Sequence, residues 1–140
     1  MESKPKTILL VEDQIIAAAP VIKILKNTGY EIIYVMRGED AVIIIEAGVP
    51  VDLIVMDIDL GLGICGMTAS ERINSIRKIP ILFFTNHPEK DIKEKTGNIL
   101  SFNYLSKTNA LGSLVLCIEK IIFSLNFAKE KNIFKEVFRI

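Results

Sequence analysis

Two short apolar runs, each stopping at an acid, constrain this chain most: TILLVED at 7–13 and VDLIVMD at 51–57. A short, almost wholly apolar run bounded by polar groups reads as a strand buried on both faces, the strand type of a parallel sheet covered by helices. Between them, Ile15, Ile16, Val21, Ile22 and Leu25 suit a helix from Gln14 to Asn27; Pro20 is expected to bend it or delay its start, and Gly29 to end it. EIIYV supplies a second strand and EDAVIIIEAG a helix ending at Gly48. Residues Gly61 to Gly66 are glycine-rich and read as a loop, followed by a helix, MTASERINSIR, with Met67, Ile73 and Ile76 facing inward. Pro80 precedes a fourth strand, ILFFT; the polar loop NHPEKD leads to a short helix up to Gly97, and ILSFNYL is the fifth strand. In a last helix Leu111, Leu114, Val115, Ile118, Ile121, Ile122 and Leu125 recur at steps of three and four, one unbroken apolar stripe.

Strands alternating with helices imply βαβ units with right-handed crossovers, hence a doubly wound parallel sheet with helices on both faces. A chain of 140 residues is about one domain, so one site is expected, beyond the carboxyl ends of the strands. Seventeen basic and seventeen acidic residues cancel, which gives no global attraction to nucleic acid or to an anionic membrane surface. No uninterrupted apolar run reaches the roughly 18 to 20 residues of a bilayer span, and MESKPKTILLVED lacks a secretory h-region, so a cytoplasmic location without membrane contact is expected. Cys65 and Cys117 have no metal-ligand spacing and read as reduced thiols; the single histidine, His87, argues against His-based zinc.

The strand ends carry the chemistry. Glu12 and Asp13 close the first strand, Asp57 the third and Thr85 the fourth, and Lys107 lies just past the fifth. Neighbouring carboxylates repel by roughly 1 to 4 kcal/mol per close pair unless a cation is shared. Lys107 supplies one charge, and a site of carboxylates, backbone oxygen and water suits Mg²⁺ for the rest.

VED on the first strand, VMD on the third, the threonine ending the fourth and the lysine after the fifth together resemble the response-regulator receiver family over about residues 6–126. The resemblance implies a flavodoxin-like α/β fold, a five-stranded parallel sheet in the order 2-1-3-4-5. It implies that Asp57 takes a phosphoryl group from a phosphohistidine on a partner kinase or phosphotransfer protein. Mg²⁺ would be held by Glu12, Asp13, Asp57 and the backbone carbonyl of Asp59, with Thr85 and Lys107 contacting the phosphoryl oxygens. Tyr104 matches the family's switch aromatic, turning inward as Thr85 moves and changing the face of the fourth helix, fifth strand and fifth helix. The chain's phosphoryl transfer is then self-modification, and no separate enzyme is expected.

Taken singly, each residue has a plainer reading: Asp57 a turn or helix-capping aspartate, Thr85 a β-branched strand residue, Tyr104 a half-buried core aromatic, Glu12 and Asp13 the start of a helix. Some positions depart from the commonest family pattern. Thr108 replaces a proline after Lys107, so that peptide is expected to be trans, or else a strained bond held by the site. Asn86 is bulkier than usual and would narrow the approach to Asp57. Asp59, Asn86 and His87 are candidate tuners of phosphate lifetime, although His87 also reads as an exposed loop histidine. Cys65 reads as a small loop filler and Cys117 as core. The competing functions are a pseudo-receiver, the same fold used only as a protein-binding module, and a flavodoxin-like protein holding a phosphorylated cofactor.

The receiver is expected to occupy residues 1–126. Residues 127–140 carry Ile133, Phe134, Val137 and Phe138 at helical spacing, an amphipathic extension that continues the last helix, self-associates as a homodimer, or links to an output domain. The run MDIDLGLG resembles receivers joined to sensory, histidine-kinase or cyclic-nucleotide-making modules.

Overall fold

A computed structural model describes residues 4–96 and 102–138. Five strands, β1 (Thr7–Val11), β2 (Glu31–Val35), β3 (Leu53–Met56), β4 (Ile81–Thr85) and β5 (Asn103–Ser106), alternate with α1 (Ile15–Thr28), α2 (Gly38–Glu46), α3 (Gly66–Ile76), α4 (Glu89–Thr96) and α5 (Leu111–Phe138). All neighbouring strands are parallel, and their order is β2-β1-β3-β4-β5, as expected.

Strand periodicity divides the core in two. Ile8, Leu10, Leu53, Val55, Leu82 and Phe84 point to the face covered by α1 and α5, where they meet Ala18, Val21, Leu25, Leu114, Ile118 and Ile122. Leu9, Val11, Ile54, Met56 and Phe83 point to the other face and pack with Ala41, Ile45, Ala69 and Ile73 of α2 and α3 and with Ile92 of α4. Because β1, β3 and β4 are buried on both faces, their sequences show continuous apolar runs rather than alternation.

Several local expectations need correction. Of the two effects expected of Pro20, a bend or a delayed start, the delay does not occur: α1 starts at Ile15, and it closes on Gly29 at φ 108°, as expected. Ile15 and Ile16 lie on its exposed side, as does Ile76 on α3, because the inward arc of each helix is already filled by Ala18, Val21 and Leu25, or by Met67, Ala69 and Ile73. Cys117 is half-buried at the margin of the core rather than within it. The fourth helix starts within NHPEKD, at Glu89. The positions expected to end it (Gly97) and to open the fifth strand (99–101) lie outside the described residues, as do the side chains of Ile133, Phe134, Val137 and Phe138. Leu111–Asn132 is long and apolar enough to cross a membrane by length and composition, while Leu114, Ile118 and Ile122 within it are buried on the sheet.

Candidate functional site

The carboxyl ends of β1, β3 and β4 bring Glu12, Asp13, Asp57 and Thr85 to one edge, and the turn after β5 adds Lys107. Parallel registry explains the convergence: Val11 is paired with Met56, so the acids that follow both strands emerge side by side. One carboxylate oxygen from each of Glu12, Asp13 and Asp57 lies within 4.8 Å of the others. Glu12 and Asp57 are buried, and Lys107 Nζ donates to both, at 2.8 Å to Asp57 Oδ2. Asp57 Oδ1 accepts the backbone N–H of Asp59 at 3.2 Å, so the carboxylate is fixed from two sides.

Burial pushes the Glu12 carboxyl above its ordinary pKa, with Lys107 opposing and the Asp57 charge adding to the rise. Burial acts against the Lys107 ammonium, yet the hydrogen bonds to Asp57 and Glu12 outweigh it and raise its pKa. An open cleft of about 460 Å³, lined by Asp13, Gln14, Ile16, Ala17, Asp57, Asp59, Asn86 and Lys107, gives access. A larger concavity of about 1170 Å³ opens among Lys4, Lys6, Lys26 and Tyr30 at the amino ends of the strands, away from these groups.

Thr85 is fully buried, and its Oγ1 accepts the backbone N–H of His87 at 3.1 Å. The carbonyl of His87 in turn accepts the hydroxyl of the half-buried Tyr104 at 2.8 Å. The loop after β4 is thus tied to Thr85 at one end and to β5 at the other. His87 is not an exposed loop histidine: its ring is partly buried, with Nδ1 3.3 Å from Asp59 and Nε2 3.7 Å from Asp91. The Asp59 carboxylate reaches this ring and is not part of the three-carboxylate cluster. The Lys107–Thr108 peptide is trans. In place of a proline, Ser106 holds the turn, its Oγ accepting Thr108 N–H at 3.2 Å and its carbonyl accepting Asn109 N–H at 3.1 Å. Cys65, exposed before α3, has its thiol pKa lowered; burial acts the other way, but hydrogen bonds from Thr68 and the Met67 backbone prevail.

Three further residues shape the site without having been singled out from the sequence. Tyr34 donates its hydroxyl to the Glu12 carbonyl at 2.7 Å. Glu39 accepts Ile64 N–H at 2.8 Å and so anchors the loop between β3 and α3. At Gly66 a Cβ would sit 2.0 Å from the Asp57 carbonyl oxygen, so only glycine lets α3 begin this close to the acid. The closing glycine of the GLGICG run was the available signal for Gly66; nothing local marks Tyr34 or Glu39.

Residues 8–119 match the family described as the response regulator receiver domain. The transcriptional regulatory protein PdtaR of Mycobacterium tuberculosis is 29% identical over 116 residues, covering 82% of this chain and 56% of that protein, so the chain spans about half the length of the curated relative. The N-terminal domain of a response regulator/sensory box/GGDEF three-domain protein from Carboxydothermus hydrogenoformans is 33% identical at a TM-score of 0.78, covering 89% of this chain and 98% of that one. A yeast Spc42 trimeric coiled-coil segment fused to another structure is 31% identical at a TM-score of 0.83, covering 99% and 93%. With the matched region spanning every strand and the acidic cluster at their ends, the chain belongs to the response-regulator receiver domain family of two-component signalling.

Proposed function

We propose that Asp57 accepts a phosphoryl group from a phosphohistidine of a kinase or phosphotransfer protein, and that the modification repositions the α4-β5-α5 face to control an output module. The observation that carries this reading is the buried Asp57 carboxylate, oriented by Lys107 and facing an open cleft beside two further acids. An Asp57 oxygen attacks phosphorus; the P–O bond forms as the P–N bond breaks, and the bonding pair leaves on the imidazole nitrogen, which then takes up a proton. Lys107, which donates to Asp57 Oδ2 at 2.8 Å, would offer its charge to the phosphoryl oxygens as they gain charge.

The donor set fits Mg²⁺: three carboxylates converge and a single lysine pairs with two of them, leaving net negative charge among hard oxygen ligands. Glu12, Asp13, Asp57 and the Asp59 backbone carbonyl would hold the ion. When bound, it would neutralise phosphoryl oxygens. Exposed Ile16 lines the cleft beside Asp13 and Asp57 and suits a protein partner rather than a small solute.

Switching follows from the tied loop. Once the Thr85 hydroxyl turns to a phosphoryl oxygen, His87 N–H loses its acceptor, the loop shifts, and Tyr104, bonded to the His87 carbonyl, moves with it. Asp59 and Asn86, which line the cleft, and His87, 3.3 Å from Asp59, would tune phosphate lifetime. The receiver unit is assigned to residues 1–126 and the extension to 127–140, in a cytoplasmic protein that acts on a fused or bound output domain.

Intact-protein mass after incubation with a small phospho-donor and Mg²⁺ tests the reading. Gain of one phosphoryl group, absent in Asp57→Asn and without metal, is expected. No gain with any donor would favour a pseudo-receiver, the alternative supported by Asn86 in the cleft.

A further inference from the structure

We propose that two copies of this chain associate antiparallel along the outward face of α5. Leu116, Phe123 and Phe127 on that face are 59%, 72% and 51% exposed, whereas Leu114, Ile118 and Ile122, about half a turn around the helix, are buried on the sheet. Exposed apolar residues separated by seven and then four positions trace the seam of a two-helix coil. Continued in both directions, that spacing takes in Lys120 and Glu130, and in the sequence reaches Phe134. The helix runs unbroken from Leu111 to Phe138, about 40 Å.

The charges select the occupant. In a parallel in-register pair, Lys120 would face Lys120 and Glu130 would face Glu130. In an antiparallel pair centred on Leu125, Lys120 stands opposite Glu130 of the second copy, Phe123 opposite Phe127, and Leu116 at the register position of Phe134. The same register sets Glu119 opposite Lys131, both exposed. In one copy, Lys131 Nζ already lies 4.9 Å from the Phe127 ring centre, at the flank of the seam. Two aromatic layers at the centre, bracketed by symmetric ion pairs, form a self-complementary surface. A bilayer would have to take up those four charged residues on the same stretch of helix, which makes lipid the poorer cover.

Sedimentation equilibrium of the full chain across a concentration series is the test. A monomer–dimer equilibrium is expected, abolished in Phe123→Ser/Phe127→Ser with the parent's unfolding temperature kept. Lys120→Glu and Glu130→Lys alone should each weaken the dimer about tenfold, since either one sets like charges opposite each other twice; the double variant should restore the parent's affinity. A monomer up to about 1 mM, a trimer, or single variants as tight as the parent with their mixture tighter still, the signature of parallel pairing, would each overturn the proposal.

Discussion

Lys107 balances two buried carboxylates, and its environment sets a sign for the pH dependence of folding. Burial disfavours its charge, but hydrogen bonds to Asp57 and Glu12 raise its folded pKa above the unfolded one. A group raised in this way stabilises fully below its unfolded pKa of about 10.4 and loses that contribution as pH rises through the folded value. Glu12, raised chiefly by burial, acts at the other end of the scale: its contribution fades as pH climbs through its own folded pKa. Lys107→Met should therefore lower unfolding free energy by about 2 kcal/mol at pH 8, steepen the decline on the Glu12 side, and remove the part of the alkaline decline that belongs to the lysine. Chemical denaturation from pH 4 to 11 checks it, and curves for the two proteins that run parallel would refute the coupling. Asp57, Glu12 and Lys107 were legible in the sequence because strand ends in a doubly wound sheet converge by topology. Tyr34 and Glu39 were not, because each acts through a backbone group 22 or 25 positions away.

Within α1, Pro20 sits where an interior helix residue would donate its N–H to the carbonyl of Ile16. The helix accepts it because Val21 and Leu25 beyond the proline and Ala18 before it are all buried on the sheet, and that packing outweighs one missing bond near an exposed first turn. The delayed start, one of the two outcomes expected from the sequence, weighed the local cost of proline without the tertiary term. The inward placement of Ile76 failed for a related reason: periodicity identifies a helix but not the width of the arc its neighbours can cover. Pro20→Ala keeps every buried contact and returns the hydrogen bond, so it should stabilise the fold by about 1 kcal/mol, a rise of about 3 °C in melting temperature. Calorimetry of the two proteins decides it; an unchanged or lower temperature would mean that the proline relieves strain elsewhere in the helix.

For the molecule as a whole, the extension of α5 separates two properties that usually travel together, stability and association. Among the described side chains of the helix, Ile122 is the last buried one, and positions 123–132 are all exposed. The family match ends at residue 119, just before that point, whereas the helix continues without a break to Phe138. Helical periodicity alone could not separate these halves, because the apolar stripe that packs on the sheet hands over to a second stripe on the opposite face. A chain ending at Asn126 loses positions 127–132, all of them exposed, and should melt within about 2 °C of the full chain, since surface changes away from the core are worth about 0.5 kcal/mol or less. It should also take up a phosphoryl group to the same extent. Self-association along α5 should vanish, because Phe127 and Glu130 go with the deleted segment. A fall of more than about 5 °C would instead make the extension part of the folded unit and move the domain edge past residue 126.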